Sequence, residues 1–251
     1  MIANRAIRRS DDTRARGEFP VLDGSERKVL SSMTAMWPRQ DTAGDRGFAP
    51  RTQASSGSDD GISLPTTAGA EASLIARRRS SRDLAKPITL ADFSAIVDRL
   101  YLGARLRIPT TGGIGSVSLL FVVNRVSGID PGAYTLATSG RKLMRQDNSP
   151  SIARIVNAEF RTRLDSAAGV DPAVCILIFA DTEAVARRYT AGALSSSLLD
   201  CGILMQTVQL AATEVGLNSC IVGCALNASL QGMVPVDTEV VANLGGVALG
   251  G

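Results

Sequence analysis

Apolar residues run almost unbroken from Ala173 to Ala180 (AVCILIFA). A run this short and continuous predicts a central strand buried on both faces. Val117 to Val126 is also apolar and β-branched, and predicts a second buried strand. From Gly192 to Val215 the pattern is apolar nearly all round a helical turn, broken by Asp200, Gln206, Gln209 and Glu214. That pattern predicts a long helix in the core of a domain or of a dimer, not a membrane span, with Gly216 placed to end it.

The other elements are shorter. Thr89 is positioned to cap a helix whose apolar stripe is Leu90, Phe93, Ile96, Val97 and Leu100, with Asp92 at its third position. Ile62 to Pro65 reads as an extended entry, and Ala70 to Arg79 as a helix closed by an arginine-serine cluster. Pro131-Gly132 turns into a strand over Ala133 to Ala137, with Arg141 to Arg145 able to pair with it. Ile152 to Leu164 and Leu226 to Met233 read as helices, Asn218 to Cys224 as a short strand or loop, and Glu239 to Leu249 as a last strand. Strands and helices do not alternate regularly, so the class is α+β. Residues 1–61 are polar apart from a helix-like Ser25 to Trp37, and are expected to form a flexible extension ahead of one domain over 62–251.

Composition removes several kinds of chemistry. The 251 residues contain no histidine, which excludes Ser-His-Asp and Cys-His hydrolases and histidine-bound zinc. The net charge of +3 and 4% aromatic content argue against a nucleic-acid binder. No GxGxxG follows a strand, and there is no P-loop. Cys175, Cys201, Cys220 and Cys224 lie in apolar surroundings without paired CxxC motifs, so no metal site is expected and free thiols in a reducing cytoplasm are. The first residues lack the apolar core of a signal peptide.

Two stretches carry candidate chemistry. Arg77-Arg78-Arg79-Ser80-Ser81-Arg82 offers guanidinium forks and hydroxyls that suit a phosphate, although a solvated basic turn has the same composition. Pro109-Thr110-Thr111-Gly112-Gly113 lets a backbone approach a flat ligand closely, or is an ordinary glycine turn before a strand.

Taken in order, these motifs resemble the flavin-dependent nitroreductase superfamily. The nearer likeness is to the azoline dehydrogenases of thiazole/oxazole-modified peptide biosynthesis, of streptolysin and microcin type. Ile62–Pro65, Ser73-Leu74 and Arg78–Arg82 look like the family's opening "LP…SL…RRSSR". Pro109–Ile114 is similar to its "PSAGGLYP" loop. Val122–Val126 and Pro131–Tyr134 match the strand and turn that follow. Tyr189, Asp200-Cys201-Gly202, Gln206 and Leu210–Leu217 resemble the "KY…EaG…QN…lGL" helix.

The resemblance implies a homodimer with a central mixed or antiparallel sheet, flanking helices and a long buried core helix, binding FMN at the dimer interface. Arg78, Arg79, Ser80 and Arg82 would hold the FMN phosphate and ribityl chain. Pro109, Thr110, Thr111, Gly112 and Gly113 would lie along the isoalloxazine, joined by Gln206 and by the backbone of Cys220, Ile221, Val222 and Gly223. Tyr189, with Arg188 beside it, would be catalytic. Here Arg188 stands where peptide-modifying members have lysine, Gly115 and Ser116 replace the loop's tyrosine and proline, and Asp200 replaces a glutamate. Arginine is a poor base, so the proton of an azoline would fall to Tyr189 or water. Implied partners are a cyclodehydratase and a precursor peptide. A nicotinamide-dependent nitro or quinone reductase and a non-catalytic scaffold remain the alternatives.

Overall fold

The computed structural model describes residues 73–251, apart from 104, 138–140, 166–168, 190–191, 225 and 235–240. The expected extension over residues 1–61, with its Ser25–Trp37 helix, and the Ile62–Pro65 entry lie outside the described residues.

The chain forms α1 (Leu74–Arg77), α2 (Leu90–Leu100), a small hairpin of β1 (Tyr101–Leu102) and β2 (Arg105–Leu106), then β3 (Val117–Val123), β4 (Gly132–Leu136) and β5 (Leu143–Arg145). It continues through α3 (Ser149–Leu164), β6 (Val174–Asp181), α4 (Thr182–Ala186), α5 (Ala193–Glu214), β7 (Asn218–Val222), α6 (Asn227–Leu230) and β8 (Val241–Gly250). Six strands make one sheet in the order β5-β4-β3-β6-β8-β7. Every neighbouring pair in it is antiparallel, the stricter of the two sheets expected.

Strand β6 sits inside this sheet, between β3 and β8. Its side chains alternate, as a pleated strand requires. Val174, Ile176, Ile178 and Ala180 join one core with Phe93 and Ile96 of α2 and Leu204 and Val208 of α5. Cys175, Leu177 and Phe179 join the other, with Ile152, Val156 and Phe160 of α3 and Leu230 of α6. Helices therefore cover both faces, which explains why the run from Ala173 to Ala180 tolerates no polar side chain.

The caps follow the expected chemistry. Thr89 Oγ1 accepts a hydrogen bond from the Asp92 amide at 3.1 Å and donates to the Asp92 carboxylate at 2.6 Å. Helix α5 ends on Gly216 at φ 78°, with the Gly216 amide donating to Thr213 O and the Leu217 amide to Ala212 O. These two bonds are the Schellman pattern, which the left-handed glycine makes possible.

One expectation is corrected. Residues 70–72 of the expected Ala70–Arg79 helix lie outside the described residues; of the rest, Leu74–Arg77 is helical, capped by Ser73, and the helix stops short of Arg79 because Arg78 already has ψ 126°. Helix α5 has the expected length, with Ser197, Asp200, Cys201 and Leu204 buried on one side and Leu198, Leu199 and Ile203 exposed on another within one chain.

Candidate active site

The residues singled out in the sequence gather into two groups beside α5. The first is built around the loop before β3. Thr110 and Thr111 lead into a 3-10 turn over Thr111–Gly113, and Gly112 and Gly113 have φ 60° and 67°. Two contacts fix this turn. The Thr111 amide donates to both carboxylate oxygens of Asp200, each at 3.0 Å, and the Thr111 hydroxyl donates to Oδ1 at 3.0 Å. Asp200 is only 2% exposed, so a buried charge on α5 is satisfied by loop donors rather than by a cation.

The second contact comes from the segment after α4. Arg188 Nη1 donates to Gly112 O at 3.2 Å, and the Arg188 guanidinium lies 5.6 Å from the centre of the Tyr189 ring. A Cβ on Gly112 would stand 2.7 Å from the Tyr189 hydroxyl and 2.9 Å from its ring, so a side chain there would displace Tyr189, and φ 60° already favours glycine. Tyr189 is 37% exposed, and its hydroxyl makes no hydrogen bond among the described residues. The expected Pro109, Thr110, Thr111, Gly112, Gly113, Arg188 and Tyr189 are thus brought to one place.

The second group runs along the sheet edge. Arg78–Asp83 passes beside the start of edge strand β7, with a bend at Arg82: Ser80 bridges Ser219 in parallel, the Ser81 amide donates to Ser219 O at 2.9 Å, and Asn218 Nδ2 donates to Asp83 O at 3.0 Å. This places Ser80 beside Ser219 and brings Arg82 near Cys220, at the start of the Cys220–Gly223 stretch. Burial raises the Cys220 thiol, and the charge of Arg82 opposes that shift. Gln206 lies further along α5 than Asp200, beside Met205, which packs against Gly245 and the β7–β8 ladder. No hydrogen bond or ion pair among the described residues links the two groups.

The arginine group fits a phosphate. Arg78, Arg79 and Arg82 have no acidic partner among the described residues, whereas Arg99, Arg141, Arg161, Arg163 and Arg187 each have one. The buried hydroxyl of Ser219, against which Ser80 is paired, has no hydrogen-bond partner either. Guanidinium forks without acidic partners are the donors an anionic phosphate takes.

The thiols do not offer a nucleophile. All four are free, and burial pushes Cys201 and Cys224 up to about 12, with Cys175 also raised well above its ordinary range. Among the described residues no group of three or more acidic or cysteine side chains could hold a metal, and no helix is long and apolar enough to cross a membrane.

An open cleft of about 850 Å³ adjoins the loop, lined by Pro109, Thr110 and Gly113 on one side and by the first half of β3 and the end of β4 on others. Sequence reading did not place this cleft, nor the Asp200 clamp. A lone carboxylate within Leu198-Leu199-Asp200-Cys201 was the available signal for the clamp.

The sequence model of the nitroreductase family matches residues 75–251. This chain belongs to that family. Members of the nitroreductase family are flavin-binding oxidoreductases, and the α+β core described above has their fold. Among solved structures, the chain is similar to the microcin synthetase McbBCD complex of E. coli with truncated pro-MccB17 bound, with a TM-score of 0.60 at 13% identity over 77% of this chain and 76% of that one. It is also similar to a candidate nitroreductase of Ralstonia eutropha, with a TM-score of 0.54 at 14% identity over 76% of this chain and 86% of that one. A candidate nitroreductase of Anabaena variabilis gives a TM-score of 0.57 at 20% identity over 70% of this chain, but only 37% of that longer protein is spanned. No curated protein matches the sequence.

Proposed function

We propose that this nitroreductase-family protein is an FMN-dependent oxidase of peptide azolines, converting thiazoline or oxazoline rings in a ribosomal peptide to thiazole or oxazole. The observation that carries the reading is the seat of Tyr189 against Gly112, with the phenol hydroxyl free and facing the glycine loop. The likeness to a synthetase complex holding a truncated pro-peptide supports a peptide as substrate. A cyclodehydratase and a precursor peptide are the corresponding partners, and the free thiols suit a reducing cytoplasm.

In this reading Arg78, Arg79, Ser80 and Arg82 bind the FMN phosphate and ribityl chain. The loop Pro109–Gly113, with Gln206 and the backbone of Cys220–Gly223, borders the ring system. Bound FMN supplies the two-electron acceptor that takes hydride from the azoline. The ring proton leaves through the Tyr189 hydroxyl, which passes its own proton to water as it receives the substrate's. Arg188 keeps its charge throughout and orients the loop through Gly112 O, so it acts as a positioning group rather than as a base. Asp200 holds the other side of the same turn. Because the two groups of residues are unlinked within one chain, a second copy docked on the exposed Leu198, Leu199 and Ile203 is part of the proposal.

The test uses FMN-loaded protein and a thiazoline-containing peptide, followed by mass spectrometry for loss of two hydrogens. Tyr189→Phe should lower turnover by roughly 10²–10⁴-fold, the usual contribution of a positioned proton-transfer group, with FMN still bound. Unchanged turnover would remove Tyr189 from the reaction. One observation favours a second reading, a nicotinamide-dependent reductase: Arg188 replaces the lysine of peptide-modifying relatives, and a reductase needs no base toward its substrate. Rapid bleaching of the bound flavin by a nicotinamide, with no azoline oxidation, would select it.

A further inference from the structure

Strand β3 is paired unevenly. On its β6 side the ladder runs its full length, from Val117↔Ala180 to Val123↔Val174. On its β4 side it covers only Phe121↔Tyr134, Val122↔Ala133 and Val123↔Gly132. Beyond Tyr134 the two strands part, and Thr135 and Leu136 pair with β5 alone. Val117–Leu120 therefore presents main-chain groups toward β4 that have no ladder partner among the described residues. Four residues at about 3.3 Å each make roughly 13 Å of open sheet edge inside the domain.

The space between the parted strands is the cleft of about 850 Å³. Its banks include Val117–Leu120 on one side and Thr135–Ala137 on the other, and Pro109, Thr110 and Gly113 of the glycine loop line it as well. The side chains of Leu119 and Leu120 are already packed, at 5% and 2% exposure, so along this bank the cleft offers main chain and the exposed Ser118, while half-buried Leu106, Ile108, Ile114 and Leu136 give it apolar walls elsewhere. Unpaired strand edges recognise extended peptides through main-chain hydrogen bonds, with side-chain pockets adding selectivity. Arg105 is the one charged residue lining the cleft; it is exposed and makes no ion pair among the described residues. The charge complement is an acidic side chain or a carboxylate on the incoming segment.

We propose that an extended, acidic peptide segment adds as a strand to the open Val117–Leu120 edge of β3, with its carboxylate on Arg105, and so delivers its reacting residue to the Pro109–Gly113 loop. This deepens the peptide-oxidation reading and rests on it for the identity of the peptide as substrate. Strand addition fixes the direction and register of the chain that leads to the loop, and Arg105 selects which segment binds.

The experiment uses the full-length, FMN-loaded protein and a fluorescein-labelled octapeptide of alternating valine and serine containing one aspartate. A second probe carries lysine in place of that aspartate, and a third has alternate amides N-methylated. Anisotropy should show the aspartate probe binding, with N-methylation on the pairing edge weakening it at least tenfold. Hydrogen exchange of amides within Val117–Leu120 should slow at least tenfold when the probe is added. Arg105→Glu should weaken the aspartate probe at least tenfold and bind the lysine probe more tightly than the unaltered protein does, a reversal that misfolding cannot produce. Absence of binding, or binding that leaves exchange at 117–120 unchanged, overturns the proposal. So does protection without probe: if it grows with protein concentration a second copy covers the edge, and if it is constant the chain's own residues do. Azoline oxidation read on the same samples keeps the two ideas apart. Oxidation without probe binding sinks the cleft alone, whereas probe binding without oxidation sinks the assigned reaction and leaves the strand-addition site.

Discussion

At the scale of single residues, the account turns on side chains that lack a partner. Arg82 has no ion pair among the described residues and lies close enough to Cys220 to oppose the rise that burial imposes on its thiol. Replacing Arg82 by Ala should weaken FMN binding by roughly 10–100-fold, the value of about 1.5–3 kcal/mol for a charged hydrogen bond; an unchanged dissociation constant in a flavin titration would remove Arg82 from the phosphate site. The thiols give a second check. Cys201 and Cys224, pushed up to about 12, and the fully buried Cys175 should stay inert to a thiol reagent at neutral pH, because only the thiolate attacks. Half-buried Cys220 should react first, and FMN should slow that reaction if the cofactor lies over Cys220–Gly223; mass mapping with and without FMN reads this directly. Gly112→Ala meets both a left-handed φ of 60° and the Tyr189 hydroxyl. It should cost about 1–2 kcal/mol of stability from the backbone alone and displace Tyr189, measurable as a lowered Tm together with a loss of turnover.

At the scale of elements, α5 organises the site because it carries buried contacts on one side and a carboxylate, Asp200, that grips the loop through Thr111. Asp200→Asn should keep the shape and lose the charge-assisted bonds from Thr111, loosening the Thr111–Gly113 turn. Exchange of the Thr111 amide should accelerate while the amides of β6 are unaffected, and equal exchange in the variant would deny the clamp. The far end of α5 is tied to α2 by Arg99, whose guanidinium donates to Glu214 at 2.6 and 2.9 Å. That hydrogen bond, then the charge of Arg99, holds the Glu214 carboxyl below its ordinary range, although it is exposed. A depressed carboxylate contributes stability above its unfolded-state value and loses it as pH falls through the folded one. Arg99→Gln should therefore flatten the acid side of the stability profile slightly, and solvent screening keeps the effect small. Much of this element layout was legible in the chain. The AVCILIFA run, the Thr89 cap and the Gly216 stop depend on neighbours within a few positions, and periodicity records those. The Ser80–Ser219 bridge was not legible, because the helix-favouring Leu74–Arg77 runs into it and its partner Ser219 lies far along the chain. Nor was the Asp200–Thr111 clamp, whose members are separated by 89 positions. Pairings at that range are decided by how the sheet and α5 pack, which no local pattern encodes.

At the scale of the whole molecule, the described domain holds two groups of cofactor-type residues and one exposed apolar strip on the helix between them. Leu199 is 66% exposed and flanked by Leu198 and Ile203, a costly surface for a protein to leave in water. Under the proposal that a second copy docks on this strip, the unaltered protein should sediment as a dimer and Leu199→Asp as a monomer with less flavin; an unaltered protein that is monomeric, or a variant that stays dimeric, would remove this interface. The central claim is that the family's flavin sits on these residues as FMN, held by the Arg78–Arg82 edge and the Pro109–Gly113 loop. The most direct measurement is the absorption spectrum of the purified full-length protein, with the released chromophore identified and the Arg82→Ala variant run beside it. The account predicts a yellow protein with FMN near one per chain and reduced occupancy in the variant. A colourless protein that takes up no added FMN would contradict it and leave a flavin-fold scaffold as the reading of this chain.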